Sequence, residues 1–148
     1  MPTSAATTST TDDSDASPAQ AEALWKTFFE HNKITGGKTD GDGSCALRLN
    51  GRRVVVCCQD EDRLLVVQVH VSPKPKAANL RAPFGEALLV QALDVIEGDV
   101  LGIDPVEDTA VYQRTLSLKG LDAGHLTDEL WDMVDAVDGL QPLLPKVA

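Results

Sequence analysis

The chain is poor in the residues that build chemistry, and each shortage removes a class of function. Its 148 residues include 3 cysteines, 3 histidines and a single tyrosine. None of the histidines, His31, His70 or His125, stands at a metal-ligand spacing from a Cys, Asp or Glu, so no metal site is expected. Cys45, Cys57 and Cys58 all fall in strand-like runs. Neighbours in a strand point to opposite faces, so Cys57 and Cys58 do not bridge each other. An odd count without framework spacing fits a reducing compartment, where thiols serve as small buried hydrophobes. The G-x-S-x-G elbow, the phosphate loop and G-x-G-x-x-G are absent. No apolar run reaches spanning length, and the N-terminus lacks both the basic region and the apolar core of a signal peptide. Positive charge is short as well: 13 Lys and Arg stand against 23 Asp and Glu, for a net charge of −10. That argues against nucleic acid and anionic membranes as partners. These absences describe a soluble, intracellular protein with no catalytic residue, no cofactor and no metal, one that works by binding. One alternative survives as an enzyme, a Cys58–His70 nucleophile pair, because such pairing is spatial rather than sequential.

What is present is architecture. Residues 1–16 hold no aromatic or large aliphatic residue after Met1, so burial cannot offset their ordering entropy and they read as disordered. Ser17-Pro18-Ala19-Gln20 opens a helix with a cap, a first-turn proline and a capping-box partner. That helix runs to about Asn32 and carries Leu24, Trp25, Phe28 and Phe29 on a broad apolar face. Gly36-Gly37 and Asp40–Gly43 read as loop; the DGDG run lacks the further oxygen ligands of a calcium loop.

Three strands follow. Cys45, Leu47 and Leu49 alternate with Ala46 and Arg48, and Asn50-Gly51 is the preferred type I′ hairpin pair. Val54–Cys58 is apolar on both faces, as a central strand would be. Asp60-Glu61-Asp62 turns the chain into Leu64–Val71, and Pro73 and Pro75 end the meander. A second helix spans Asn79 to Ile96, with Pro83 in its first turn and Phe84, Leu88 and Ala92 stacked at i, i+4, i+8. From Asp99 to Val137 come two more strands and an amphipathic helix capped by Asp122 and closed near Gly139. This C-terminal third is the acidic part: residues 97–148 hold 11 acidic and 3 basic side chains, which reads as a solvated helix face. The tail LQPLLPKVA reads as extended. The fold class is therefore α+β, in the order α-β-β-β-α-β-β-α, with a twisted and mainly antiparallel sheet packed by helices. The domain occupies residues 17–140 and the tail residues 141–148.

This order, the small size and the low pI resemble the class I type III secretion chaperones, the Tir-chaperone-like family. The likeness is carried by LGIDPVEDTAVYQRTLSLKGLDAGHLTDELWDMVDAV at the C-terminal end and by CALRLNGRRVVVCCQDEDRLLVVQVHV in the meander. With the first helix it covers roughly Ala19 to Leu140. The long Thr/Ser/Asp-rich N-terminus and Pro83 depart from the family pattern.

The resemblance implies a cytoplasmic bacterial homodimer that binds the N-terminal segment of a secreted effector in extended form. It would hydrolyse no ATP itself, and the secretion-system ATPase is a further partner that the family admits. Effector contact is expected at Trp25, Phe28, Phe29, Val55, Val66 and Tyr112. The dimer interface is expected at Phe84, Leu88, Ala92 and Val95. A protein-binding module unrelated to secretion, such as an inhibitor, immunity or regulatory protein on the same fold, is the alternative.

Overall fold

The sheet grows from the hairpin at Asn50-Gly51, where both residues take positive φ, 51° and 77°. That pair of left-handed conformations is what a type I′ turn demands, and it sets Leu49 opposite Arg52. The computed structural model describes residues 18–34, 38–39, 44–59 and 63–145. The N-terminal segment with its Ser17 cap, the glycine-rich loop, the Asp60–Asp62 turn and the last three residues lie outside the described residues.

In chain order the elements are α1 (Pro18–His31), β1 (Lys38–Thr39), β2 (Cys45–Leu49), β3 (Arg52–Gln59) and β4 (Leu64–Pro73), then α2 (Ala78–Ala92), β5 (Val100–Asp104), β6 (Thr109–Ser117) and α3 (Ala123–Leu140). A 3-10 turn, Gln141–Leu143, follows. All strand pairs are antiparallel, in the order β1-β2-β3-β4-β6-β5. The expected α+β architecture is therefore the one observed, with two-residue β1 added at one edge of the sheet. A register shift between His70 and Ser72 turns both Val71 and Ser72 inward.

Register divides the strands cleanly. Leu47, Val54, Val69, Tyr112 and Leu101 form one row across the sheet, and all are buried. Leu126, Leu130, Met133, Val134 and Val137 of α3 complete this core from one side, and Ala21, Leu24, Trp25 and Phe28 of α1 join the same cluster. Asp122 caps α3 as its sequence suggests, accepting from the His125 amide at 2.8 Å. Asn32 ties the end of α1 to Thr127 of α3 at 3.1 Å.

Three boundaries differ from the sequence reading. Helix α2 starts at Ala78 and takes Pro83 into its interior, and it ends at Ala92 rather than Ile96. Pro83 is exposed, so the carbonyl left without its amide partner can be hydrated, while Gly98 at φ 94° turns the chain into β5. Gly139 does not close α3, which runs through Leu140. The tail is not extended at its start: the 3-10 turn brings Leu144 into the core at 5% exposure.

Trp25 and Phe28 pack edge-to-face, with centroids 5.5 Å apart, and neither is exposed. Replacing Trp25 with Ala should cost about 3–5 kcal/mol of stability in urea unfolding. Phe29→Ala, at a half-buried position, should cost clearly less; equal losses would contradict this core.

Candidate functional site

Two of the expected contact sets change once the burial is known. Trp25 and Phe28 are wholly enclosed and Tyr112 is 2% exposed, so all three are core rings and as placed offer no surface to a partner. Phe29, Val55 and Val66 are half-buried and stay available. Val55 and Val66 lie on the second face of the sheet, where Ala46 stands opposite Val55 and Cys57 opposite Val66. Ala46 and Cys57 are exposed, so the patch is apolar, shallow and open. Beside it, β1 pairs only with Cys45 and Ala46, leaving the outer edge of Leu47–Leu49 without a strand neighbour among the described residues. Helix α1 is tied to β1, next to this edge, by Thr39, which donates to Glu22 at 2.7 Å.

The expected dimer residues are also redistributed. Phe84 and Leu88 point into their own sheet, at 0% and 6% exposure, and Ala92 and Val95 are half-buried against the same core. The helix has only one wide apolar face in its sequence, but that face is split between the core and solvent. Its outward part is Leu89, Val90 and Leu93, continued past the helix end by Ile96 and Val100; Leu89 and Leu93 are 70% and 86% exposed. Exposed apolar side chains contiguous over this length mark an interaction surface rather than scattered surface residues.

The acidic helix has a use that its sequence hides. Arg114 on β6, only 11% exposed, reaches the Asp99 carboxylate through both Nε and Nη2, at 2.9 and 2.8 Å. Its Nη1 donates to Glu129 and Asp132 of α3, each at 3.0 Å. Tyr112 Oη donates to the same Asp99 carboxylate at 2.5 Å. A second clamp joins the far end of α3 to the first hairpin: Arg52 donates to Asp138 at 2.6 Å and to Gln141, and Asn50 also donates to Asp138. Glu129, Asp132 and Asp138 therefore fasten the helix, although Asp132 stays exposed like Asp128 and Asp135. Arginine on a neighbouring strand was the available sequence signal, but which carboxylate it meets depends on register.

Burial alone would raise the Asp99 carboxyl, but the hydrogen bonds from Arg114 and Tyr112 outweigh it and hold the group below its ordinary value. Burial and the bond to Asp99 push the Tyr112 phenol up to about 12. The Arg114 guanidinium, held by Asp99 first and then by Asp132 and Glu129, stays charged at any working pH.

The pair raised as a nucleophile is not assembled. Cys58 pairs with Leu65 and faces the core, whereas His70 pairs with Val111 on the second face of the sheet. Burial and the nearby Arg53 lower the His70 imidazole below its ordinary value. Among the described residues no group of three His, Cys, Asp or Glu could hold a metal ion, and no helix is long and apolar enough to cross a membrane.

Comparison with known proteins supplies a family and a fold. The model of the Tir chaperone protein (CesT) family matches residues 23–141. Three solved structures share the fold. A chain of the HopA1–SchA chaperone–effector complex superposes with a TM-score of 0.63 at 14% identity, covering 84% of this chain and 95% of that one. A chain from the Yersinia pestis type III secretion chaperone SycH in complex with a fragment of YscM2 gives 0.57 at 16% identity, covering 81% and 98%. A chain of the ExsC–ExsE complex gives 0.65 at 14% identity, covering 88% and 97%. No curated protein matches the sequence.

The Arg114 cluster sets a pH dependence. A carboxyl with a depressed folded value stabilises the fold above its unfolded value and loses that contribution as pH falls through the folded one. Urea midpoints should therefore drop below about pH 4, the ordinary carboxylate range. Asp99→Asn should be less stable at neutral pH and flatter across that window. The Tyr112 phenol, raised in the fold, stabilises below its ordinary value of 10 and loses this as pH climbs toward about 12. An acid profile unchanged by Asp99→Asn would contradict the assignment.

Proposed function

Because the chain belongs to the Tir chaperone protein (CesT) family, we propose that it is a type III secretion chaperone acting in the bacterial cytoplasm. It binds the N-terminal chaperone-binding segment of a cognate effector in extended form and keeps that segment soluble and competent for export. The observation that carries this reading is the family match over residues 23–141, which takes in every strand and all but the first turn of α1. The HopA1–SchA structure, a chaperone–effector complex, supports the same role for the fold.

The physics of an extended guest fits the surfaces available. An unfolded segment carries unpaired backbone donors and acceptors, and an open strand edge satisfies them while alternate side chains find apolar contacts. The edge of β2 beside α1 is the place for it. Side chains directed to the second face of the sheet meet Ala46 and Val55, with Val66 one strand further in, and Phe29 lies on the adjoining helix. Holding the segment this way requires no catalysis by the chaperone. Two copies associate through the exposed ridge of Leu89, Val90, Leu93, Ile96 and Val100, giving a homodimer that presents two such surfaces. The loaded dimer then passes its guest to the secretion-system ATPase.

Coexpression with a candidate effector followed by limited proteolysis tests the reading. The protected effector fragment should be a short N-terminal stretch with no folded domain of its own. Val55→Asp with Val66→Asp should weaken binding by about tenfold or more, equivalent to about 1.4 kcal/mol, with little change in the chaperone's unfolding midpoint. Recovery of a folded effector domain alone would favour an inhibitor or regulator on this fold instead.

A further inference from the structure

At the open edge of β2, the free backbone groups and an unanswered positive charge belong to the same residue. Leu49 and Arg52 flank the two-residue turn and exchange their backbone hydrogen bonds, so every second residue of β2 turns its N–H and C=O outward. Within Leu47–Leu49 that residue is Arg48. Its outward groups meet no strand among the described residues, because β1 reaches only Cys45 and Ala46.

The side chain of Arg48 is exposed on the second face, directly opposite Arg53 of β3. Like charges in that relation destabilise a strand pair. Arg53 has its own carboxylate: its Nη1 donates to both oxygens of Glu107, at 3.2 and 3.1 Å. The same Glu107 lies 3.9 Å from the His70 ring. One acid thus serves two basic groups at this end of the sheet, and none serves the third. Among the described residues the Arg48 guanidinium forms no ion pair and donates only to the Gly51 carbonyl, at 3.2 Å.

A charge on an edge strand turns away strands that cannot answer it and admits those that can. We infer that Arg48 selects a guest segment with an aspartate or glutamate at the position beside it. Residues side by side on neighbouring strands send their side chains to the same face. The guest residue bonded to the Arg48 backbone therefore places its carboxylate beside the guanidinium. Its two neighbours turn to the side of Leu47 and Leu49, so the pattern selected is apolar–acidic–apolar. The net charge of −10 repels acids from the molecule at large, which confines the preference to this one position. The inference rests on the strand-edge reading above and adds the chemistry of the guest.

Selection of a displayed library of random short peptides tests it, on the wild-type chain, on Arg48→Gln and on Arg48→Glu. Peptides taken on the wild-type chain should protect the Arg48 amide from hydrogen exchange and carry Asp or Glu between apolar residues. Arg48→Gln should lose the preference, and Arg48→Glu should turn it to Lys or Arg. Reversing the acid in one selected peptide should weaken binding to the wild-type chain about fivefold, the upper range for one exposed ion pair, and Arg48→Glu should recover the loss. Both variants should unfold no earlier than the wild-type chain, since they relieve the repulsion with Arg53. Acid enrichment that persists in Arg48→Glu, or edge-bound peptides with no charge preference, would overturn the role of Arg48 and leave the strand-edge reading standing. Peptides that bind without protecting the Arg48 amide, or no enrichment at all, would overturn the strand-edge reading and this inference with it.

Discussion

A guanidinium held almost out of water is the constraint on which this architecture depends. Arg114 projects from the middle of β6 toward α3, and its fixed fork of donors meets three carboxylates from two other parts of the chain. Asp99 stands at the corner between α2 and β5, whereas Glu129 and Asp132 belong to α3. One side chain thereby sets the height of the last helix over the sheet and the position of the corner that carries Ile96 and Val100. Lysine could supply the charge but not the two-pronged grip on Asp99. Removing one partner of a buried pair leaves an uncompensated charge, a loss of about 3–5 kcal/mol in typical cases. The Tyr112 hydroxyl, otherwise a buried polar group in an apolar row, is satisfied by the same carboxylate.

With that clamp in place, core and surface have separate tasks. The large rings of α1 and the inward rows of the strands are consumed in holding the fold, and besides single exposed side chains such as Val106 and Leu143 the apolar surface left outside forms two patches. One is the second face of the sheet near the β2 edge, suited to an extended guest. The other is the outward part of α2, Leu89, Val90 and Leu93, where we propose that a second copy docks. Holding a segment extended is a matter of backbone pairing and apolar contact.

Much of the fold was legible because its signals are local. The Asn50-Gly51 pair fixed a hairpin, alternation on β6 separated Ala110, Tyr112 and Leu116 from Val111, Gln113 and Thr115, and Asp122 marked the start of α3. The surfaces were less legible, because they depend on which side of an element meets another. The aromatic cluster Trp25, Phe28 and Phe29 reads first as core, a use compatible with contact on so wide a face, and only packing shows that two rings are enclosed and one is half free. In α2 the residues from Phe84 to Ile96 form an apolar band too wide to assign by periodicity, so Phe84 and Leu88 turned inward while Leu89 and Leu93 turned out. Likewise the acids of α3 read as solvated until register brought Arg114 and Arg52 beneath three of them.

Hydrogen exchange of the chaperone with and without the N-terminal segment of its effector tests the central claim most directly, that the guest is held as an added strand. The account predicts new protection at the amide of Arg48, the one N–H of Leu47–Leu49 that the pairing with β3 leaves facing the open edge, with the amides of α3 little changed. Protection confined to the helices, with the β2 edge exchanging as freely as before, would contradict it.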